Sequence, residues 1–204
     1  MTMTNEAKPE NSRDRILKSA FQEMHQHGYQ GMRIDQVLKN TGLKKGALYH
    51  HFPSKQVLAY AVLEELIQKR ITELWIDPLK TLNNPIDGIY RLCLSVADAW
   101  SNDFFNKGCP LNNLAQEMSP IDEGFRERIQ PFFQHWQSEL SSALKKGQEQ
   151  GFVDKNINTD NSALFIVSSI EGAFGMAKNY QNKTLYLSCI EELKRYLQSL
   201  ALIS

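Results

Sequence analysis

The stretch RIDQVLKNTGLKKGALYHHFPSK, residues 33 to 55, decides how the chain is read. Ile34, Val37 and Leu38 are spaced as on one face of a short helix, Gly42 follows, and a second short segment carries Lys44, Lys45, Tyr49, His50 and His51 before Lys55. The spacing predicts helices over about 33–40 and 44–50, joined by a turn of the kind glycine makes without strain. That is the layout of a helix-turn-helix, whose second helix presents side chains to the grooves and phosphates of DNA. Taken singly, the lysines suit a solvated helix face and the histidines suit surface packing. Their coincidence in this spacing points to DNA.

Working outward, helical spacing dominates. Ile16, Leu17, Ala20, Phe21 and Met24 form a stripe that Ser12 is placed to cap and Gly28 to end. After Pro53, Ser54 can cap a fourth helix reaching about Trp75, with Asp77-Pro78 as its break. Pro85 suits a first helical position, opening a helix through Leu92, Val96 and Trp100. Gly108-Cys109-Pro110 interrupts before a short helix to Met118, and Ser119-Pro120 stops that one. A long amphipathic segment covers about 121–150, with Pro131 implying a kink or a late start. Segments 159–180 and 183–202 follow. No alternating run of useful length is present, so the expected fold is all-α with about nine helices: a helix-turn-helix head over residues 1–55 and a helical body over 56–204.

The 204 residues carry a formal net charge of zero, which by itself argues against a polyanion partner. The distribution argues otherwise. Residues 1–55 hold nine Lys/Arg and five Asp/Glu, a balance of +4, and 56–204 hold fourteen and eighteen, a balance of −4. A basic head on an acidic body suits docking to DNA by one end. The N-terminus MTMTNEAKPENSR has no apolar core of a signal peptide, and no apolar run is long enough to cross a bilayer, so a cytoplasmic location is expected.

Cys93, Cys109 and Cys189 are odd in number, widely spaced and without a C-x-x-C pair, which indicates neither a disulfide framework nor a zinc site. No metal and no cofactor is expected. Catalytic fingerprints such as G-x-S-x-G, H-E-x-x-H or a phosphate-binding glycine loop are absent from the sequence, so an enzyme is not expected. A cysteine-dependent enzyme remains the competing class, with His135 as the speculative partner of Cys109. A helical interaction module that does not bind DNA is the third reading.

The order R-x-x-I-L-x-x-A-F at 13–21, G-Y at 28–29, I-x-x-V-L at 34–38 and T-G-L-x-x-G-x-L-Y-x-H-F-x-x-K at 41–55 closely resembles the TetR family of bacterial transcriptional regulators. The resemblance implies DNA contacts from Arg33, Lys44, Lys45, Ala47, Tyr49, His50 and Lys55. Lys44 or Lys45 would donate to a guanine edge, and Ala47 would offer a methyl to thymine. Gly46 would let the helix approach the duplex, while Leu48 and Phe52 hold it down. Met32 and Lys44 stand where the family usually has a capping Ser or Thr, which leaves the second and third helices without that cap. The resemblance also implies a repressor acting as a homodimer on a pseudo-palindromic operator and released by a small apolar or electrophilic effector. The dimer would form through the last two helices, about 159–202, where small residues from Ala163 to Ala177 permit close approach.

Candidate effector-pocket residues are Trp100, Phe104, Phe133, Trp136, His135 and Glu171, although aromatics at helical spacing also serve as ordinary core. Cys109 is the candidate sensor. With Pro110 as first helical residue it falls at an N-cap, where free amides, the helix dipole and Lys107 would lower a thiol pKa. The stretch G-C-P-L at 108–111 resembles one in a TetR branch that includes electrophile-responsive regulators and relatives that bind drugs reversibly. A small buried residue at a helix start is the plainer alternative.

Overall fold

The computed structural model describes residues 11–202, and the polar stretch that precedes Asn11 lies outside them. The chain divides into two compact units, Met1–Leu66 and Ile67–Ser204.

In the first unit, α1 (Ser12–Gly31) is capped by Asn11, whose side-chain oxygen accepts from the Asp14 amide at 2.9 Å. The expected cap, Ser12, sits one position too late. It is already helical, and its hydroxyl meets His51 Nε2 at 2.8 Å. Gly28 breaks the helix with φ 73° and ψ 175°, a conformation open essentially to glycine, before the backbone coils once more to Gly31. Helix α2 (Ile34–Thr41) ends at Gly42, whose φ of 67° directs its N–H to the Leu38 carbonyl at 2.8 Å. This is the left-handed helix stop that turns the chain toward α3 (Lys45–His51).

Neither α2 nor α3 receives a side-chain cap: Arg33 and Lys44 occupy the N-cap positions without such a bond. Met32 lies one residue before the α2 cap and is buried in the core. Helix α4 (Lys55–Ala61) is capped by Ser54, which accepts from Val57 at 3.1 Å, as its sequence suggests. Ile16, Ala20, Val37, Leu48 and Leu58, all fully buried, form the centre of this unit. A bidentate pair from Arg13 to Glu65, at 2.7 and 2.5 Å, ties its surface together.

The expected regular helix from Ser54 to Trp75 is replaced beyond Ala61 by wider coils. Val62–Gln68 and Thr72–Ile76 are π-helical around the short α5 (Lys69–Ile71), and Asp77–Thr81 is a 3-10 turn. Such i→i+5 winding leaves no mark in apolar periodicity.

In the second unit, α6 (Pro85–Ala99) starts at Pro85 under an Asn84 cap. A six-residue helix, α7 (Asn102–Lys107), precedes the Gly108-Cys109-Pro110 interruption, in a stretch to which the sequence assigns no helix of its own; it is too short to show a period. Gly108, with φ 78°, ends it, and α8 (Pro110–Met118) follows with Cys109 at its N-cap. Helix α9 (Glu123–Glu149) runs through Pro131 without interruption. Pro131 and Glu127, four residues earlier, are both exposed, so a carbonyl deprived of its amide partner lies where water can bind it. Helices α10 (Thr159–Tyr180) and α11 (Lys183–Ser199) complete the chain, separated by Gln181 in the left-handed conformation.

Among the described residues nine α-helices have seven residues or more, α5 and α7 are shorter, and the only extended pairing is an isolated bridge between Val153 and Ala201. The all-α expectation is met. The core of the second unit is aromatic: Trp75 against Trp136 (5.4 Å between centroids), Phe105 stacked on Phe174 (5.2 Å) and Tyr186 against both Phe105 and Phe174 (4.9 and 4.8 Å).

Candidate functional site

On the first unit, α3 is anchored from below and bare above. Leu48 (0 % exposed) and Phe52 (2 %) are buried, and the Arg13 guanidinium lies 5.2 Å over the Phe52 ring. Lys44, Lys45, Gly46, Tyr49 and His50 are exposed, Ala47 is half-buried, and the Lys45 ammonium sits 5.8 Å over the Tyr49 ring. The two histidines part company: His50 faces out, and His51 is held by Ser12.

Gly46 is informative because the fold does not ask for it. A Cβ there would meet nothing within 4 Å, and its backbone is not left-handed. Glycine is a poor helix former, so its use in the exposed first turn of α3 suits close approach from outside. Arg33 is exposed at the start of α2. Lys55 is already engaged, its ammonium 3.0 Å from the Gln30 carbonyl and 5.0 Å over the Tyr29 ring, where it joins α4 to the end of α1. A phosphate would have to compete with those contacts.

On the second unit, α8, α9 and α10 enclose a cleft of about 870 Å³. Its apolar wall includes Ala115, Ile129, Phe133, Leu164 and Val167, and side-chain amides come from Asn112, Gln116, Gln130, Gln134 and Gln137. Arg126 and Ser119 stand at the rim, with the guanidinium spent on the Ser119 carbonyl and Glu123 at 3.3 and 3.2 Å. Of the residues that the sequence nominates for a pocket, Phe133 and Glu171 line this cleft. Trp136 is 1 % exposed against Trp75, and Trp100 stacks on Phe104 at 3.6 Å beneath the Arg70 guanidinium; none of these three lines the cleft. His135 points outward, half-exposed and 3.9 Å from Glu139.

Cys109 and Glu171 meet at the cleft wall, which Glu171 lines and Cys109 does not. Both are buried, 7 % exposed each, and apart from the Cys109 thiol beside it no donor reaches either oxygen of Glu171. Burial raises the Glu171 carboxyl from 4.5 to about 7, an effect only partly offset by the neighbouring Cys109 thiol. Cys109 departs from expectation. Its thiol is pushed well above its ordinary value, first by burial and then by the adjacent Glu171 charge, and the amides of Asn112 and Leu111 at the start of α8 do not compensate. Lys107, the expected helper, is paired with Asp103 at 2.6 Å. Cys93 is likewise pushed up by burial, to about 12.

A concrete consequence is that a water-soluble disulfide reagent at pH 8 should leave Cys93 and Cys109 unmodified in the native protein and modify both in urea. Rapid native labelling of Cys109, mapped by mass spectrometry, would restore it as an accessible sensor.

The glutamines lining the cleft went unnoticed in the sequence. Gln130, Gln134 and Gln137, at helical spacing beside Phe133, are the signal that marks this face of α9. The pairing of Glu171 with Cys109 has no local signature, because 62 residues separate them (171 minus 109).

Comparison with known proteins agrees with this geometry. Residues 16–62 match the family described as bacterial regulatory proteins, tetR family, and residues 85–192 match the tetracyclin repressor-like C-terminal domain. The chain is 28 % identical over 190 residues to the HTH-type transcriptional regulator YxaF of Bacillus subtilis, covering 89 % of this chain and 93 % of that one. It is 28 % identical to the regulator LmrA of the same organism (89 % and 96 % covered) and 24 % identical to the transcriptional repressor DhaR of a Mycobacterium species (84 % of each). In fold it is similar to a TetR-family regulator of Cytophaga hutchinsonii, with TM-score 0.85 at 18 % identity over 98 % of this chain and 100 % of that one. These relatives are regulators of transcription rather than enzymes.

Proposed function

Because the chain belongs to the TetR family of bacterial transcriptional regulators, we propose that it represses transcription as a homodimer that binds a pseudo-palindromic operator through α3 and releases it when a small molecule occupies the cleft of the second unit. The observation that carries the DNA-binding half is α3 itself: a short helix held by Leu48 and Phe52, with Lys44, Lys45, Tyr49 and His50 exposed around a glycine that no internal contact requires. Lys44, Lys45 and Ala47 are assigned to base edges. Tyr49, His50, Arg33 and, on release from Gln30, Lys55 are assigned to phosphates.

The dimer is supported by the outer face of α10 and α11. Phe165, 50 % exposed, leaves apolar surface uncovered there. A groove between the two helices is lined by Phe165, Ser169, Gly172, Cys189 and Leu193. Two copies related by a two-fold axis would bury it and present two recognition helices to two half-sites. Effector action requires only that the ligand bind one of two states better, and the buried, proton-holding Cys109 favours reversible binding over thiol modification.

The test is a fluorescence-anisotropy titration on DNA from upstream of the protein's own gene, with genomic site selection as the second source of DNA, across a series of salt concentrations. The native protein should lose affinity steeply as salt rises. Arg33→Ala should lower the slope of log K against log salt by about 1, the loss of one phosphate contact, and Lys44→Ala with Lys45→Ala should weaken binding and relax the preference for one DNA sequence. Tyr49→Ala should weaken binding about ten-fold, the loss of one charge-assisted contact. Binding that ignores salt, or no binding to either source of DNA, would leave the interaction-module reading.

A further inference from the structure

Glu171 stands apart from every other acidic side chain described in the second unit. It is buried beside Cys109, at the start of α8, and Tyr186 of α11, and its two carboxyl oxygens, both out of contact with water, have no donor other than the Cys109 thiol. A buried carboxyl that meets nothing stronger than a thiol is costly and persists where something else completes it. The same residue lines the cleft between α8, α9 and α10. Around it the cleft offers apolar surface from Phe133, Ile129 and Val167, and neutral amides from Gln130, Gln134 and Gln137. The rim guanidinium of Arg126 is turned to Ser119 and Glu123, which leaves it poorly disposed to hold an anion.

Building on the regulator reading, we propose that the effector of this protein is an organic cation, an apolar or aromatic body bearing an amidinium or primary ammonium group, with its N–H donors on the two oxygens of Glu171. Two parallel N–H donors match the two carboxylate oxygens in the fork geometry that makes such pairs strong. Low local polarity increases the gain, because the cation meets a carboxylate whose one competing donor is a weak thiol. Cys109 and Tyr186 are the other titratable groups beside this carboxyl, and burial holds both in their neutral forms. Neither contributes a charge that would repel or replace the ligand. The aromatic body would lie against Phe133, with the glutamine amides closing over its edge.

The experiment uses three probes of the same shape, 2-naphthamidine, 2-naphthamide and 2-naphthoate, titrated calorimetrically into the full chain without DNA at pH 8. The amidinium should bind at least ten-fold more tightly than the neutral amide, with the carboxylate weakest. In Glu171→Gln that preference should vanish, while the amide binds as it does to the native protein. Phe133→Ala should weaken amidinium and amide alike, which locates the site without touching the charge. Thermal unfolding of both variants checks that they are folded. Equal binding of amidinium and amide, preference surviving in Glu171→Gln, or no amidinium binding would each overturn the proposal. A second readout, operator affinity with and without the amidinium, separates the two readings: selective binding that leaves DNA affinity unchanged keeps the cation site and removes the regulatory role assigned to it.

Discussion

Replacing Trp136 by alanine is expected to lower the free energy of unfolding by about 3–5 kcal/mol, the range for emptying a fully buried indole site. The residue is 1 % exposed on α9 and its ring lies 5.4 Å from that of Trp75, which in turn meets Phe174 edge-on at 6.5 Å. Removing it leaves a void among large, rigid neighbours that cannot collapse into it, so the transfer and cavity terms both apply. Trp136→Phe keeps a ring against Trp75 and should cost less than half as much. Urea unfolding followed by circular dichroism gives the measurement. A loss below about 1 kcal/mol for the alanine variant would mean that the indole lines an already hydrated space, and would return Trp136 to the list of effector contacts.

The second large effect belongs to Glu171 and appears as a dependence on pH. In the folded chain its carboxyl keeps a proton to about pH 7, whereas an ordinary glutamate releases it near 4.5. Between those values the folded state binds more protons than the unfolded state, so this group makes stability fall as pH rises through the window and level off above it. At 1.36 kcal/mol per unit the fall is on the order of 3 kcal/mol. Glu171→Gln removes the titration. Relative to the native protein, the variant should therefore gain stability from pH 4.5 to pH 8 by that amount, read from urea midpoints at both values. The buried amide lacks partners at either pH, so the change with pH, not the absolute difference, is the diagnostic. Parallel pH profiles for the two proteins would show that the native carboxyl is hydrated or paired in solution. The same experiment bears on the cleft: a carboxylate that is costly when ionised alone is one that a bound cation stabilises, and the native protein should recover stability at pH 8 when the amidinium probe is added.

The readable parts of this chain share one property: their physics is local. The cap at Ser54, the left-handed stop at Gly42, the start at Pro85 and the bounds of α10 all follow from residues within four positions of the event, and each stands where the sequence puts it. Errors by one position, as between Ser12 and Asn11, arise because two adjacent polar residues can both cap and only the helix start decides which of them does. Helix α7 and the π-helical coils after Ala61 are invisible for the opposite reason, being too short or too irregular to repeat.

The candidate site divides along the same line. Lys44, Lys45, Tyr49 and His50 are exposed because a short helix with Leu48 and Phe52 buried must turn its other positions to solvent, so the sequence alone determined the exposed face of α3. It did not determine that His51 is held by Ser12 or Lys55 by Gln30, since those partners lie 39 and 25 positions away. In the second unit the tertiary structure decided almost everything that bears on an effector. Cys109 has the N-cap position its sequence implies, yet its thiol is made less acidic, because burial against α10 outweighs what a few amides contribute. The aromatic residues are alike in sequence, and packing alone sends Phe133 to the cleft and Trp136 to the core. Local hydrogen bonding and periodicity are written in neighbouring residues; desolvation depends on what the rest of the chain brings alongside, and only the folded molecule contains that information.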